Sequence, residues 1–539
     1  MKNIYRDSDY YNDLRELIDG VGKKYKDMPA FRYNLDGKKY EITYERFKND
    51  IEALGTYFLK NGYTNKKIAV VGENSYEWVV TYFAAVNSGN IILPFDKELK
   101  SNELGILLNK SATDLLVYAE SKQGAVDEMK ENGLEVQNFL CMKDFKDVFE
   151  EGKALIDSDF DEYFKVKTNP DEMCAIIYTS GTTGDPKGVM LSQKNLVKDA
   201  YLSVSVMKIP RDTVLILPLN HTFGFMAGMM CQIWMGYCIF INNSLKTVIK
   251  DIKEAKPGHI SVVPLFVENI WKNIWKSAEK QGKADLLRKM IKVSNGMRKV
   301  GIDLRRKLFK SVLDNFGGNL EMIISGGAPI ADEYMKGFDD IGITIINGFG
   351  ITECSPIVAL NRVEDIKWGT VGEAIPTVSL KIENPDENDE GEIWVKGDIV
   401  MMGYYKNEEA TNEAIKDGWF NTGDIGKMVD GKYLKITGRK KNLIILANGK
   451  NVYPEELEYL ISRIDNVTEV LVYEEDDLIT AEIFSDAEEN RDAIREQIKK
   501  DVLELNKKLA IYKQIKKIKF RNQEFEKTTT KKIKRNYNK

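Results

Sequence analysis

Residues 178–188 read YTSGTTGDPKG. Three glycines (Gly181, Gly184, Gly188) alternate with the hydroxyls of Thr179, Ser180, Thr182 and Thr183, and Lys187 follows Pro186. Glycine lets a backbone approach a ligand closely and adopt positive φ. Successive N–H groups and hydroxyls then point inward as donors, and Lys187 adds a full positive charge, a set that suits a polyphosphate. The order is not that of the common nucleotide P-loop, where GxxxxGK precedes Ser or Thr; here Gly188 follows the lysine. The apolar run 175–178 reads as a strand, and LSQKNLV after the loop reads as a helix start capped by Ser192. A strand, a glycine-rich loop and then a helix is a common frame for phosphate.

Further along, SGGAPI (325–330) follows the apolar MII and contains Gly326, Gly327 and Ala328. NGFGITE (347–353) follows ITII and contains Asn347, Gly348, Phe349, Gly350, Thr352 and Glu353. Phe349 offers an aromatic face, Thr352 a hydroxyl and Glu353 a hard carboxylate; a stacked base, a phosphate oxygen and Mg2+ would need those groups. Taken singly, each stretch reads equally well as a strand-to-turn junction. WFNTGD (419–424) reads alone as a β-turn, and GRKKN (438–442) as a charge run.

In this order, over roughly residues 20–539, these elements resemble the signature set of the adenylate-forming superfamily: acyl-CoA synthetases, aryl-CoA ligases, luciferases and peptide-synthetase adenylation domains. The resemblance implies that Thr179, Ser180, Gly181, Thr182, Thr183, Gly184 and Lys187 bind the phosphates of ATP. It implies further ATP contacts from Gly326, Gly327, Ala328, Asn347, Gly348 and Gly350. Phe349, which replaces the common tyrosine, would stack on adenine, Thr352 would meet the α-phosphate and Glu353 would hold Mg2+. Asp424 matches the aspartate on the ribose hydroxyls and Arg439 the arginine near ribose and phosphates. Lys441 matches the interdomain hinge, and Gly449 the loop that enters the thioester-forming site. KTTTKKIKR (527–535) points to Lys532 as the catalytic lysine, with Lys531 where the family commonly has glycine.

LPLNHTFGF (217–225) resembles the wall of the acyl pocket, with His221 lining it. Phe223, Phe225, Met226, Met229, Met230 and Trp234 read either as tunnel lining or as plain core. No acidic residue lies between Asp212 and Asp251, which disfavours an α-amino acid substrate. VVPLFVENIWKNIWK (262–276) is most like long-chain acyl-CoA synthetases. The activity implied is ATP-dependent conversion of a medium- or long-chain fatty acid to acyl-AMP with release of pyrophosphate, then transfer to CoA. A phosphopantetheinyl acyl carrier protein as acceptor and an aryl acid as substrate are the alternatives. A non-catalytic nucleotide-binding module is disfavoured by Glu353, Asp424, Arg439 and the candidate lysine.

The elements that must position these groups alternate. KKIAVVGEN (66–74), NIILPFD (90–96), DLLVYAE (114–120) and TVLILPLN (213–220) read as buried strands, with a helix over 76–89 between the first two. Such alternation predicts an α/β fold with largely parallel, layered sheets. A β-rich subdomain is expected at about 377–437, within a large N-terminal domain of 1–437. A small C-terminal α+β domain of 438–539 follows, and the resemblance implies that it is mobile about a hinge near 439–441. The lysine-rich stretch from about Lys507 reads as a solvated or membrane-surface tail.

The chain has 539 residues, 43% hydrophobic and 30% charged, as a globular protein of several domain-sized units should. A net charge of −5 gives no case for nucleic-acid binding. Five cysteines without CxxC spacing and two histidines disfavour a Cys/His metal site. The N-terminus lacks the apolar core of a secretion signal, so a cytoplasmic protein with free thiols is expected. Peripheral membrane contact and a homodimer both stay open. Residues 223–241 carry no formal charge and are long enough to span a bilayer, but Gln232 and three glycines favour a buried helix, a turn at Gly236 and a buried strand.

Overall fold

The computed structural model describes residues 9–179, 186–242, 244–446, 450–476, 478–487, 489–527 and 533–535. The chain forms two compact units, Met1–Ser379 with Lys396–Gly418, and Leu380–Val395 with Trp419–Lys539.

The larger unit is built on two sheets. In the first, the strands lie in the order Gly403–Tyr404, Lys187–Ser192, Met173–Thr179, Ile91–Phe95, Lys67–Val71, Leu115–Tyr118 and Asn138–Cys141. From Met173–Thr179 onward they run parallel. Apolar runs such as Leu115–Tyr118 are buried at every position, as strands covered on both faces must be. The helix Tyr76–Asn87 is likewise buried at every position but Glu77; Ser75 caps it by accepting from the Trp78 N–H, and Gly89 leaves it at φ +75°.

The second sheet orders Glu373–Ala374, Ile357–Leu360, Thr344–Gly350, Met322–Ser325, His259–Val262, Thr213–Leu215, Ile239–Ile241, Pro29–Leu35 and Lys38–Thr43. Its middle is parallel and its edges antiparallel. Beneath it, Phe338 packs on Trp271 of the helix Pro264–Lys280, with ring centroids 5.2 Å apart.

The charge-free stretch 223–241 is buried protein interior. Thr222–Phe225 leads into a π-helical turn, Met226–Met230, and then Cys231–Trp234. Gln232, fully buried, donates from Nε2 to the Ala227 carbonyl at 2.9 Å. That carbonyl also accepts from Ser261 Oγ at 3.3 Å, so the widened turn keeps its backbone satisfied. Gly236 turns the chain at φ +69° into the strand Ile239–Ile241. Among the described residues no helix is long and apolar enough to cross a membrane. All five cysteines are buried and none forms a disulfide.

The layout expected around the glycine-rich loop needs correction. The loop does not run directly into a helix. Lys187–Ser192 is a strand, paired antiparallel with Met173–Thr179 so that Thr179 faces Lys187. The helix Gln193–Ser205, capped by Ser192 as expected, begins only after that strand. The N-terminus of that helix is therefore separated along the chain from the loop by the whole strand Lys187–Ser192.

In the smaller unit, strands Ser379–Glu383, Gly391–Lys396, Trp419–Val429 and Tyr433–Arg439 form one sheet. The boundary expected at 437/438 lies inside the last of these strands. A second sheet joins Glu469–Glu475, Leu478–Phe484 and Lys517–Arg521. Leu457, Val472, Ala481, Ile483, Ile498 and Val502 form its core with helices Pro454–Ile461 and Arg491–Asn506. Over Lys517–Arg521 the lysine-rich stretch is thus no free tail. Lys517–Arg521 pairs in parallel with Leu478–Phe484, and Lys517 and Lys519 both bind Glu475 of the neighbouring hairpin.

Candidate active site

The strand hairpin Met173–Thr179/Lys187–Ser192 holds both ends of the glycine-rich loop. Ser180, Gly181, Thr182, Thr183 and Gly184 lie outside the described residues. At the base, Thr179 Oγ1 is 3.5 Å from the Lys187 carbonyl. Gly188 is required here, since a Cβ would stand 2.9 Å from Ile176 Cγ2 and 3.3 Å from Tyr178 Cζ.

On its other edge Lys187–Ser192 pairs with Gly403–Tyr404, and the Tyr405 N–H donates to the Gly188 carbonyl at 2.7 Å. Tyr404 comes to rest below Lys187, whose Nζ lies 4.8 Å from the ring centroid. The Tyr404 hydroxyl donates to Glu353 Oε1 at 3.0 Å, and the Met401 N–H donates to the Glu353 carbonyl at 2.9 Å. Burial, and then the adjacent Glu353 carboxylate, push the Tyr404 hydroxyl far above its ordinary range, so it stays a donor.

Glu353 stands in the turn Thr352–Cys354, which follows the strand Thr344–Gly350 carrying Asn347, Gly348, Phe349 and Gly350. Phe349 is half-buried and Gly350 exposed. A Cβ on Gly350 would meet the Pro356 carbonyl at 2.4 Å, so only glycine fits. Asn347 is held from two sides: its Nδ2 donates to the Thr370 carbonyl at 3.0 Å and its Oδ1 accepts from Asn361 Nδ2 at 2.6 Å. Parallel pairing sets Ser325 beside Asn347, which brings Gly326, Gly327 and Ala328 next to that strand. Gly326 is buried, while Gly327 and Ala328 are exposed, Gly327 at φ +83°.

The segment expected to wall the acyl pocket lies beside the same groups. Thr222 Oγ1 is 3.2 Å from Thr352 Oγ1, and a Cβ on Gly326 would stand 3.0 Å from Phe223 Cζ. Asn74 clamps this segment, donating to the Leu217 carbonyl at 2.9 Å and accepting from the Leu219 N–H at 3.0 Å. His221 Nε2 lies 3.6 Å from Asp96 Oδ2. Deeper in, Phe225 packs on Tyr82 with ring centroids 4.2 Å apart, and Met226, Met229 and Met230 have no exposed surface.

In the smaller unit Asp424 and Arg439 face each other across the strands Trp419–Val429 and Tyr433–Arg439, and Arg439 Nε is 2.8 Å from Asp424 Oδ1. Asp424 is 3% exposed, and its N–H donates to Thr422 Oγ1 at 3.0 Å. Lys441 is exposed in the turn Lys440–Asn442. Gly449, Lys531 and Lys532 lie outside the described residues; on either side of the two lysines, Lys527 pairs with Ile533 in an antiparallel bridge.

The structure thus brings Lys187, Thr222, Phe223, Gly326, Asn347, Thr352 and Glu353 together in the larger unit, and Asp424 and Arg439 in the smaller. Tyr404, Asp96, Asn74 and Asn361 join them without having drawn notice in the sequence. GYYK (403–406) has only a glycine before two aromatics, and its partner strand is remote in sequence. Among the described residues no three His, Cys, Asp or Glu groups converge to hold a metal ion. One carboxylate at a turn still fits Mg2+, which keeps waters and takes substrate phosphates as ligands rather than needing an all-protein cage.

A long-chain-fatty-acid–CoA ligase of Mycobacterium tuberculosis is 28% identical over 459 residues, covering 80% of this chain and 75% of the relative. Long-chain-fatty-acid–CoA ligase 5 of Mus musculus is 29% identical over 507 residues, covering 86% and 74%. Among solved structures, an anthranilate CoA ligase in complex with anthranoyl-AMP shares the fold at TM-score 0.77 with 19% identity, covering 98% of this chain and 96% of that one. A Mycobacterium tuberculosis fatty acyl CoA synthetase does so at 0.68 with 21% identity, covering 97% and 96%. Residues 19–405 match the family described as AMP-binding enzyme, and the chain belongs to that family.

Proposed function

We propose that this enzyme is an AMP-forming acid–thiol ligase that activates a medium- or long-chain fatty acid and passes it to CoA. The observation that carries the substrate class is the similarity to long-chain-fatty-acid–CoA ligases across 80 to 86% of the chain.

In the first half-reaction a carboxylate oxygen attacks the α-phosphorus of ATP. The bond to the bridging oxygen breaks, and pyrophosphate leaves with the electron pair. The nucleophile is modest and the leaving group highly charged, so the protein contributes alignment and positive charge more than acid–base chemistry. Lys187 and the 180–184 loop hold the β- and γ-phosphates. Glu353 would hold Mg2+, which would supply charge neutralisation on the phosphates. Phe349 stacks on the base, Thr352 donates to the α-phosphate and Asp424 accepts from the ribose hydroxyls beside Arg439. Lys532 bridges the carboxylate and α-phosphate oxygens. In the second half-reaction the CoA sulfur attacks the acyl carbon and AMP departs. Lys441 is the hinge that replaces Lys532 by the Gly449 loop at the site. His221 and Phe223 face the acyl chain.

Lys532→Ala tests the assignment. It should leave ATP binding intact and lower adenylate formation at least 100-fold, the scale of losing one such contact. Full adenylate formation in that variant, with Lys531→Ala inactive, moves the role by one residue. Normal formation in both removes it from this segment.

A further inference from the structure

Lys187 and Glu353 carry opposite charges and flank one side chain. The ammonium lies over the Tyr404 ring, 4.8 Å from its centroid, and the carboxylate accepts from the Tyr404 hydroxyl at 3.0 Å. Yet among the described residues Lys187 and Glu353 make no ion pair, with each other or with any other side chain. Tyr404 is 8% exposed, and backbone contacts fix its position independently of the Lys187 and Glu353 side chains. Its N–H donates to Thr411 Oγ1 at 2.9 Å, its strand pairs with Lys187–Ser192 so that Tyr404 faces Val189, and the Met401 N–H ties the same segment to the Glu353 carbonyl. A cation held on an aromatic face keeps its charge available, because the ring quadrupole attracts it without neutralising it. A carboxylate held through one oxygen by a neutral hydroxyl keeps its charge too, and its orientation is set.

We propose that Tyr404 is a positioning residue that keeps Lys187 and Glu353 apart and aimed, so that neither charge is consumed by the other before a polyphosphate arrives. The proposal rests on the reading of Lys187 and Glu353 as phosphate and Mg2+ ligands and adds to it the residue that holds them. The ring acts on Lys187 and the hydroxyl on Glu353, so two substitutions separate the two effects.

Tyr404→Phe keeps the ring and removes the hydroxyl. By calorimetry its affinity for ATP without Mg2+ should match wild type, while the tightening that Mg2+ brings should shrink. The kcat of adenylate formation should fall about tenfold, the scale of one charge-assisted hydrogen bond. Tyr404→Leu also removes the ring, lets Lys187 close on Glu353 and should weaken ATP binding without Mg2+ by a further factor of about five. A general loss of packing would instead lower both affinities together and shift the melting temperature of Tyr404→Phe. That outcome overturns the proposal, as does wild-type behaviour of Tyr404→Phe and Tyr404→Leu. Lys187→Ala and Glu353→Gln separate the layers: full adenylate formation in both refutes the ligand assignments themselves, whereas their loss alongside a wild-type Tyr404→Phe refutes the role of Tyr404 alone.

Discussion

His259 opens the strand His259–Val262 in the middle of the nine-stranded sheet, beside the strand Met322–Ser325 that leads to Gly326. It has no exposed surface. Nδ1 lies 2.8 Å from the Pro210 carbonyl, which can only accept, so Nδ1 bears the proton. Nε2 is buried and has no hydrogen-bond partner among the described residues. Charging the ring would place an N–H there with nothing to receive it, and burial accordingly lowers the pKa from 6.5 to about 4. Between those values the unfolded chain takes up a proton that the folded protein refuses. Stability therefore rises with pH across that window; the contribution is fully present above the unfolded value and fully lost below the folded one. The full shift corresponds to about 3 kcal/mol, of which ~2 kcal/mol falls between about pH 6.5 and about pH 5.

The test compares wild type with His259→Asn, whose amide keeps a donor for Pro210 but does not titrate. Urea unfolding of both proteins from about pH 7.5 to about pH 5 should show wild type losing ~2 kcal/mol relative to the variant. Taking the difference between the proteins cancels every other titrating group. Parallel pH dependences would refute a neutral, buried His259.

Two other perturbations follow from the same physics. Glu458 is buried and its carboxyl is pushed up to about 7 by desolvation, although Arg535 pairs with it and the Val472 N–H donates to it at 2.7 Å. Arg535→Gln should therefore destabilise the smaller unit by ~3 kcal/mol at about pH 8, and by less at about pH 6 where Glu458 takes up a proton; denaturant midpoints at the two pH values check the sign. Gly350→Ala forces a Cβ to within 2.4 Å of the Pro356 carbonyl. It should cost about 1–3 kcal/mol and shift the turn that bears Thr352 and Glu353, read as a lower melting temperature with a lower rate of pyrophosphate release.

The parallel core was legible because strands buried on both faces must be apolar without interruption, as in Leu115–Tyr118, and one helix start was legible because Ser192 caps it by local chemistry. The hairpin after the glycine-rich loop was not. Lys187–Ser192 mixes charge, glycine and apolar residues, and only its pairing on both edges makes it a strand. Lys517–Arg521 alternates lysine or arginine with Ile518 and Phe520, a strand period masked by its charge, which Glu475 offsets from a hairpin some forty residues away in sequence. Among site residues, Glu353 offered a visible carboxylate, whereas Asp424 and Arg439 were picked out only by the resemblance, because their stretches read alone as a β-turn and a charge run. Tyr404 and Asn74 did not, since each acts only through contacts that folding creates.

Adenylation of a fatty acid is the reaction on which the assigned roles depend. Its most direct test is carboxylate-dependent pyrophosphate release measured over C2–C18 and aromatic acids, followed by transfer to CoA or to a holo-carrier protein. Release should be greatest with medium- or long-chain acids and should be followed by formation of the CoA thioester. Release confined to aromatic acids, or thioester formed only on the carrier, would contradict the substrate or the acceptor; no release with any acid would contradict the account as a whole.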